Sequence, residues 1–255
     1  MVTQRLLRVG HKGAGLIAPG NTYASFDAAL AAGVDMIEFD VLPERPDDSR
    51  AGRRLRRRAG RADTCERLLL AHDYVDVAGR SPHTLQEGLG HLASEAFSGV
   101  EFDVDLKLPG YELRVLEALR AHDLLDRALI SSQYLSSLET IRAAEPGVRL
   151  GWSVPKLRRD PFRWPILKPP ALALMHLGRA ILPGRAGRAI RAGRCDALMV
   201  HWLLVTPRLV REVRGAGGQL YVWTVDELAR LRQLEALGVT GVITNDPRLF
   251  EDAGA

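Results

Sequence analysis

Residues 100–107 read Val-Glu-Phe-Asp-Val-Asp-Leu-Lys, so a strand here would carry Glu101, Asp103, Asp105 and Lys107 on one face. Phe102, Val104 and Leu106 would form the other, apolar face. Residues 36–41, Met-Ile-Glu-Phe-Asp-Val, repeat the pattern with Glu38 and Asp40. Two carboxylates about 6 Å apart at an effective dielectric of about 20 repel by roughly 3 kcal/mol. Three such pairs would approach the stability of a whole domain. A hard, oxygen-bound divalent cation, Mg²⁺ or Ca²⁺, relieves that cost, so Glu38, Asp40 and Asp105 are the candidate ligands. Glu101 opens its strand and is expected in a local ion pair away from the chemistry. Asp103, at mid-strand, fits either a role beside the cation or a structural salt bridge.

The elements that must position these groups alternate along nearly the whole chain. Strand-like segments fall at 6–10, 36–41, 68–73, 100–106, 128–132, 149–154, 197–202, 219–225 and 241–245. Helix-like segments lie between most of them. Asn21 is the expected N-cap of a helix over 22–32, and Thr84 with Glu87 forms a capping-box pattern. The last helix is expected to start at Asp226 and stop at Gly238. This order predicts an α/β fold, a (β/α)8 TIM barrel in one catalytic domain over 1–255. The ninth strand, 68–73, has no convincing helix before it. Residues 43–96 are therefore read as an insertion after the second strand that returns His72 to the barrel mouth. The Pro- and Arg-rich stretch 155–195 interrupts the rhythm. An open doubly wound sheet is the alternative, but no Gly-rich phosphate fingerprint supports it. Chemistry in such a barrel gathers at the C-terminal strand ends. Those ends carry His11, Glu38, Asp40, Asp105, Lys107, Ser131, Ser153, His201, Trp223 and Asn245.

The 255 residues carry a net charge of +4, unevenly spread. Residues 50–61 contribute +7 and residues 160–195 contribute +6, so the remainder stands at −9. These basic segments suit peripheral contact with anionic membrane. No aromatic residue is interleaved in the first run, and nucleic acid is not an expected partner. No apolar run is long enough to cross a bilayer. The N-terminal residues do not resemble a secretory signal. Cys65 and Cys195 have neither metal-site nor redox spacing. A cytoplasmic setting is expected.

The motifs His11-Lys12-Gly13, Pro19-Gly20-Asn21-Thr22, residues 33–41, Ala71-His72-Asp73, Asp105-Leu106-Lys107, residues 222–225 and residues 243–247 occur in order. Together they resemble the glycerophosphodiester phosphodiesterase family over nearly the whole chain. The resemblance implies a metal-dependent phosphodiesterase that converts glycerophosphodiesters to glycerol 3-phosphate and an alcohol. It implies Glu38, Asp40 and Asp105 as ligands of one divalent cation, and His11 and His72 as the acid/base pair. Lys12 and Lys107 would hold the phosphate, and Trp223 would line the substrate mouth. The chain departs from the family pattern at Lys12 (usually Arg), Gly20 (usually Glu) and Asp105 (usually Glu), and in a longer segment from Asp40 to His72. Two further readings are lysophospholipase D-type hydrolysis at a membrane surface and a catalytically inactive lipid-binding barrel. His83, His91, His122 and His176 are assigned no catalytic role, and His201 a structural one.

Overall fold

Period-2 alternation builds the strands, and their pairing closes a cylinder. The computed structural model describes residues 5–45, 67–155 and 168–253. The Arg-rich run at 50–61, Cys65, Phe162 and Trp164 lie outside the described residues. The strands are β1 (Leu7–Gly10), β2 (Met36–Pro43), β3 (Leu68–Leu70), β4 (Glu101–Leu106), β5 (Ala128–Ser132), β6 (Arg149–Val154), β7 (Ala197–His201), β8 (Gln219–Trp223) and β9 (Gly241–Thr244). Among the described residues, eight of them pair in parallel in the order β1-β2-β4-β5-β6-β7-β8-β9, and β9 returns to β1. With helices between the strands, this is a (β/α)8 barrel. The remaining strand, β3, runs antiparallel to the far end of β2, pairing Leu70 with Val41 and Leu68 with Pro43.

The helices are α1 (Tyr23–Ala31), α2 (Tyr74–Gly79), α3 (Leu85–Leu92), α4 (Glu112–Ala121), α5 (Leu135–Ala144), α6 (Lys168–Arg191), α7 (Pro207–Gly215), α8 (Leu228–Leu237) and α9 (Leu249–Ala253). The Thr84–Glu87 capping box opens α3 as its sequence predicts. At α1 the cap is Thr22, whose hydroxyl accepts from Ser25 N–H, rather than Asn21. Asn21 is drawn off instead by a partner on β2, with its backbone in the left-handed region at φ 59°. The last barrel helix starts at Leu228 because Asp226 is occupied by the backbone and side chain of Asn245. The interruption expected over 155–195 contains α6, a 24-residue helix with Pro183 inside it. Its buried positions Leu182, Ala186, Ala189 and Ile190 recur at helical spacing, which offsets the proline. No helix among the described residues is long and apolar enough to cross a membrane.

Two apolar layers hold the barrel. Ile37, Phe39 and Val41 of β2 and Phe102, Val104 and Leu106 of β4 face outward under the helices and are buried. Inside the cylinder, Val9, Met36, Leu129, Ala197, Met199, Tyr221 and Ile243 form a second cluster. Below them Arg149 pairs with Glu101 at 3.1 Å, the local ion pair expected for that residue. Two of the histidines assigned no catalytic role, His83 and His91, pack against Tyr23. Tyr23 is stacked between His83 and His91, at 4.0 and 4.5 Å between ring centroids, and His91 Nε2 meets Asp27 at 2.7 Å. These contacts seat α3 on α1.

Candidate active site

The register of β2 and β4 decides where the acid goes. Glu38 stands beside Asp103 and Asp40 beside Asp105, so alternate residues of both strands turn their carboxylates into the cylinder. Oxygens of Glu38, Asp40 and Asp105 all lie within 4.8 Å of one another. Lys107, at the upper end of β4, contacts Asp40 Oδ1 and lies 2.5 Å from Asp105 Oδ2. Ser131 Oγ donates to Asp105 Oδ1 at 3.4 Å. Tyr111 ties the two strand ends together. Its hydroxyl donates to Val41 O at 2.6 Å and accepts from Leu108 N–H at 3.3 Å.

The loop after β1 supplies the opposite wall. His11 N–H donates to Thr244 O at 2.7 Å, and Lys12 N–H donates to Glu38 Oε2 at 2.8 Å. Lys12 sits at φ 54°, a left-handed conformation that is costly for a side chain with a Cβ. Three bonds hold it there. Besides its own N–H to Glu38, its carbonyl accepts from Asn21 N–H at 2.9 Å and from the Ser25 hydroxyl. Its ammonium then stands 3.9 Å from Asp40 Oδ2. A Cβ at Gly20 would lie 2.8 Å from Lys12 Cβ, so the lysine stem runs across the space that only a glycine leaves open. Asn21, missed by sequence reasoning as a site residue, donates to Asp40 Oδ2 at 2.8 Å and accepts from Asp40 N–H at 3.0 Å. Its place in Pro-Gly-Asn-Thr, just before a helix, supplied a signal, but that signal reads equally well as a cap.

Burial and crowding set the charges. Burial would raise the Asp40 carboxyl, but Lys107, Lys12, His72 and His11 together hold it well below the usual carboxylate range. Glu38 is pushed well up by burial and by Asp40, against a smaller opposing pull from Lys107. Asp103 is pushed up to about 8 by burial and by Asp105. Its Oδ1 has no hydrogen-bond partner, and it stands beside Glu38 in the strand register. Burial would lower Lys107, yet Asp105, Asp40 and Glu38 carry it well above the usual ammonium value. His11 is lowered to about 4, first by burial and then by Lys12.

His11 reaches the cluster through Nε2, 3.8 Å from Glu38 Oε2, while Nδ1 meets Asn245 Oδ1 at 2.7 Å. His72, exposed at the end of β3, is felt at Asp40 as a favourable charge. Its Nδ1 lies 3.2 Å from Asp73 Oδ2, and its N–H donates to Asp76 Oδ2 at 3.2 Å. Trp223, half-buried at the end of β8, packs on the inner cluster and meets His201 edge-on at 5.1 Å. The structure thus gathers Glu38, Asp40, Asp105, Lys12, Lys107 and His11 tightly. It sets His72 and Trp223 at strand ends on the same side of the barrel.

The three carboxylates fit a hard divalent cation. Their donors are all oxygen, they lie within 4.8 Å of one another, and Glu38 and Asp40 are buried. The shorter Asp105 still brings an oxygen into the group. Such a ring of acid edged by cations suits an anionic phosphoryl group brought in with a metal.

Comparisons with known proteins agree. The Glycerophosphoryl diester phosphodiesterase family model matches residues 11–42 and 111–249. A glycerophosphodiester phosphodiesterase of Caldanaerobacter subterraneus subsp. tengcongensis is 24% identical over 258 residues, covering 95% of each chain. The Thermotoga maritima glycerophosphodiester phosphodiesterase superposes with a TM-score of 0.66 at 17% identity, covering 97% of this chain and 98% of that one. A phosphodiesterase of Oleispira antarctica, solved with the product sn-glycerol-3-phosphate, superposes with a TM-score of 0.66 at 18% identity, covering 98% and 96%. With α1, nearly all of β2 and everything from α4 to β9 inside the match, the chain belongs to the glycerophosphoryl diester phosphodiesterase family and is a phosphodiesterase.

Proposed function

We propose that the enzyme hydrolyses a small glycerophosphodiester to glycerol 3-phosphate and an alcohol, with one divalent cation, Mg²⁺ or Ca²⁺, held by Glu38, Asp40 and Asp105. The observation that carries this reading is the carboxylate triad within 4.8 Å, faced by Lys12 and Lys107. When bound, the cation supplies Lewis-acid polarisation of a phosphoryl oxygen. Lys12 and Lys107 balance the negative charge of the phosphoryl oxygens. A lysine at position 12 does so as a point charge, without the two-pronged grip of an arginine. Of the two imidazoles, His11 and His72, one takes a proton from the attacking hydroxyl and the other gives one to the departing alkoxide. Trp223 lines the substrate mouth, and the segment 43–96 is the insertion that delivers His72. The cytoplasm is the proposed location.

One observation favours a second substrate class. Leu16 and Ile17, on the loop that carries Lys12, are 63% and 41% exposed. Apolar side chains beside the mouth suit a lysophospholipid, with the enzyme resting peripherally on anionic membrane. The test is turnover of glycerophosphocholine, glycerophosphoethanolamine and lysophosphatidylcholine in ¹⁸O-water, with products read by mass spectrometry. Glycerol 3-phosphate from the first two substrates is expected. Phosphocholine as product, or no turnover of any diester, contradicts the proposal.

A further inference from the structure

One wall of the barrel carries more positive charge than the fold neutralises. Helix α6 has no acidic residue along its 24 residues, and α7, packed beside it, has only Glu212. A Cβ at Gly187 of α6 would stand 3.2 Å from Glu212 Oε2, so that acid faces the seam between the two helices. Arg185, Arg188, Arg191, Arg208, Arg211 and Arg214 are all exposed. Arg185 lies over the Trp152 ring at 5.6 Å, and Arg188, Arg191, Arg208 and Arg211 have no ion pair with a described residue. Arginines at the edges of this wall behave differently. Arg194 meets Glu139 at 2.6 Å and Arg142 meets Asp196 at 2.5 Å.

The outward face of α6 is ordered along its length. Leu177, Ile181, Gly184, Arg188 and Arg191 recur every three or four residues and share one face, opposite the buried stripe of Leu182, Ala186, Ala189 and Ile190. Leu177 and Ile181 are 54% and 45% exposed. Arg179 Nε donates to Leu203 O at 2.7 Å, just past the end of β7. The apolar pair therefore stands at the mouth end of the wall, with the arginines farther down.

We propose that the α6–α7 wall is a docking surface for an anionic lipid bilayer. Charge complementarity supplies the attraction, since each arginine brought to an anionic membrane strengthens partition about fivefold. The apolar pair selects a bilayer over nucleic acid. Leu177 and Ile181 gain by entering the boundary between headgroups and acyl chains, whereas a phosphate backbone offers them no such contact. No Phe, Tyr or Trp lies on either helix from residue 175 onward to stack on bases. Contact along a wall, rather than over the mouth, leaves the mouth open to a water-soluble diester. The surface is separate from the carboxylate cluster and goes beyond the reaction proposed above.

The test is co-sedimentation of the full chain with vesicles of phosphatidylcholine, alone or with about one-third phosphatidylglycerol. Wild type is expected to bind the anionic vesicles at about 0.05 M NaCl and to be released at about 0.5 M, with little binding to phosphatidylcholine alone. The double variant Arg188→Gln/Arg211→Gln is expected to lower partition about 10- to 30-fold. Leu177→Ser/Ile181→Ser is expected to lower it about 10-fold and to leave the salt dependence in place. Turnover of glycerophosphoethanolamine in vesicle-free solution should stay within about twofold of wild type in both variants, because neither pair touches the site. No binding of wild type to anionic vesicles at low salt, or equal binding by both variants, overturns the inference. Release of wild type from vesicles by an equal phosphate concentration of duplex DNA also overturns it, in favour of nucleic acid. The reaction fails separately: a wild type that docks as expected but hydrolyses no diester sinks the proposed function and leaves the docking surface standing.

Discussion

Lys12 and Gly20 form one structural unit. The lysine stem crosses the face of the glycine, and its ammonium reaches toward Asp40 only because no Cβ intervenes. Gly20→Ala is therefore expected to raise KM for a glycerophosphodiester about 3- to 10-fold with little change in kcat. Lys12→Met should do the same, and the double variant should lose little more, because both remove one interaction. Additive losses in that cycle would separate the two residues. Asp103 makes a different prediction. In the unfolded chain an aspartate ionises near pH 4, roughly, whereas the folded carboxyl is pushed up to about 8. Between those values the folded chain holds a proton that the unfolded chain has released, so stability falls as pH rises through this window. Asp103→Asn removes that slope. Urea denaturation in chelator should find it roughly 1–3 kcal/mol more stable than wild type near pH 9, and about equal near pH 4. Equal urea midpoints at the higher pH would refute the assignment. Period-2 spacing made Glu38, Asp40, Asp105 and Lys107 legible in the sequence. The partners of Asn21 and Asn245 were not, because each bond joins residues 19 apart that only the closed barrel brings together.

At the scale of elements, β3 and α2 act as an arm that presents His72. Arg80 braces it, donating to Leu70 O at 3.0 Å and to both oxygens of Asp76, and Asp76 in turn accepts from His72 N–H. Asp73 caps α2 through Val75 and Asp76 N–H. Arg80→Ala is expected to lower kcat about 3- to 10-fold while costing no more than about 1 kcal/mol of stability, since α2, the part of the arm that Arg80 braces, has no buried residue. An unchanged kcat with a large drop in stability would show that the brace serves the fold alone. The sequence carried β3 as a strand without a preceding helix, and the structure pairs it antiparallel at the end of β2. Helix α6 was hidden by Pro183 and by arginines spaced among small residues. Its buried stripe of Leu182, Ala186, Ala189 and Ile190 includes two alanines, and a weak apolar signal of that kind is easily lost beside a proline.

For the molecule as a whole, closing the sheet into a barrel turns charges from separate strands toward one axis. The apolar inner layer below them excludes water from one side, so every charge in the cluster is felt more strongly than at an open surface. The barrel was legible because strand and helix periods alternate over most of the chain and apolar residues fill the outward face of β2 and β4. The helix layer around the closed sheet explains the burial of Phe39 and Phe102, whose truncation to alanine is expected to cost about 3–5 kcal/mol each by thermal or urea unfolding. The central claim is that three carboxylates from two strands hold one divalent cation against the lysines that face them. Calorimetric titration of the chelator-stripped full chain with Mg²⁺ and with Ca²⁺, for wild type beside Asp40→Asn, measures this directly. Binding of about one equivalent by wild type, weakened at least about 10-fold in Asp40→Asn, is the expected result. No binding of either ion by wild type, or equal binding by a folded Asp40→Asn protein, would contradict it.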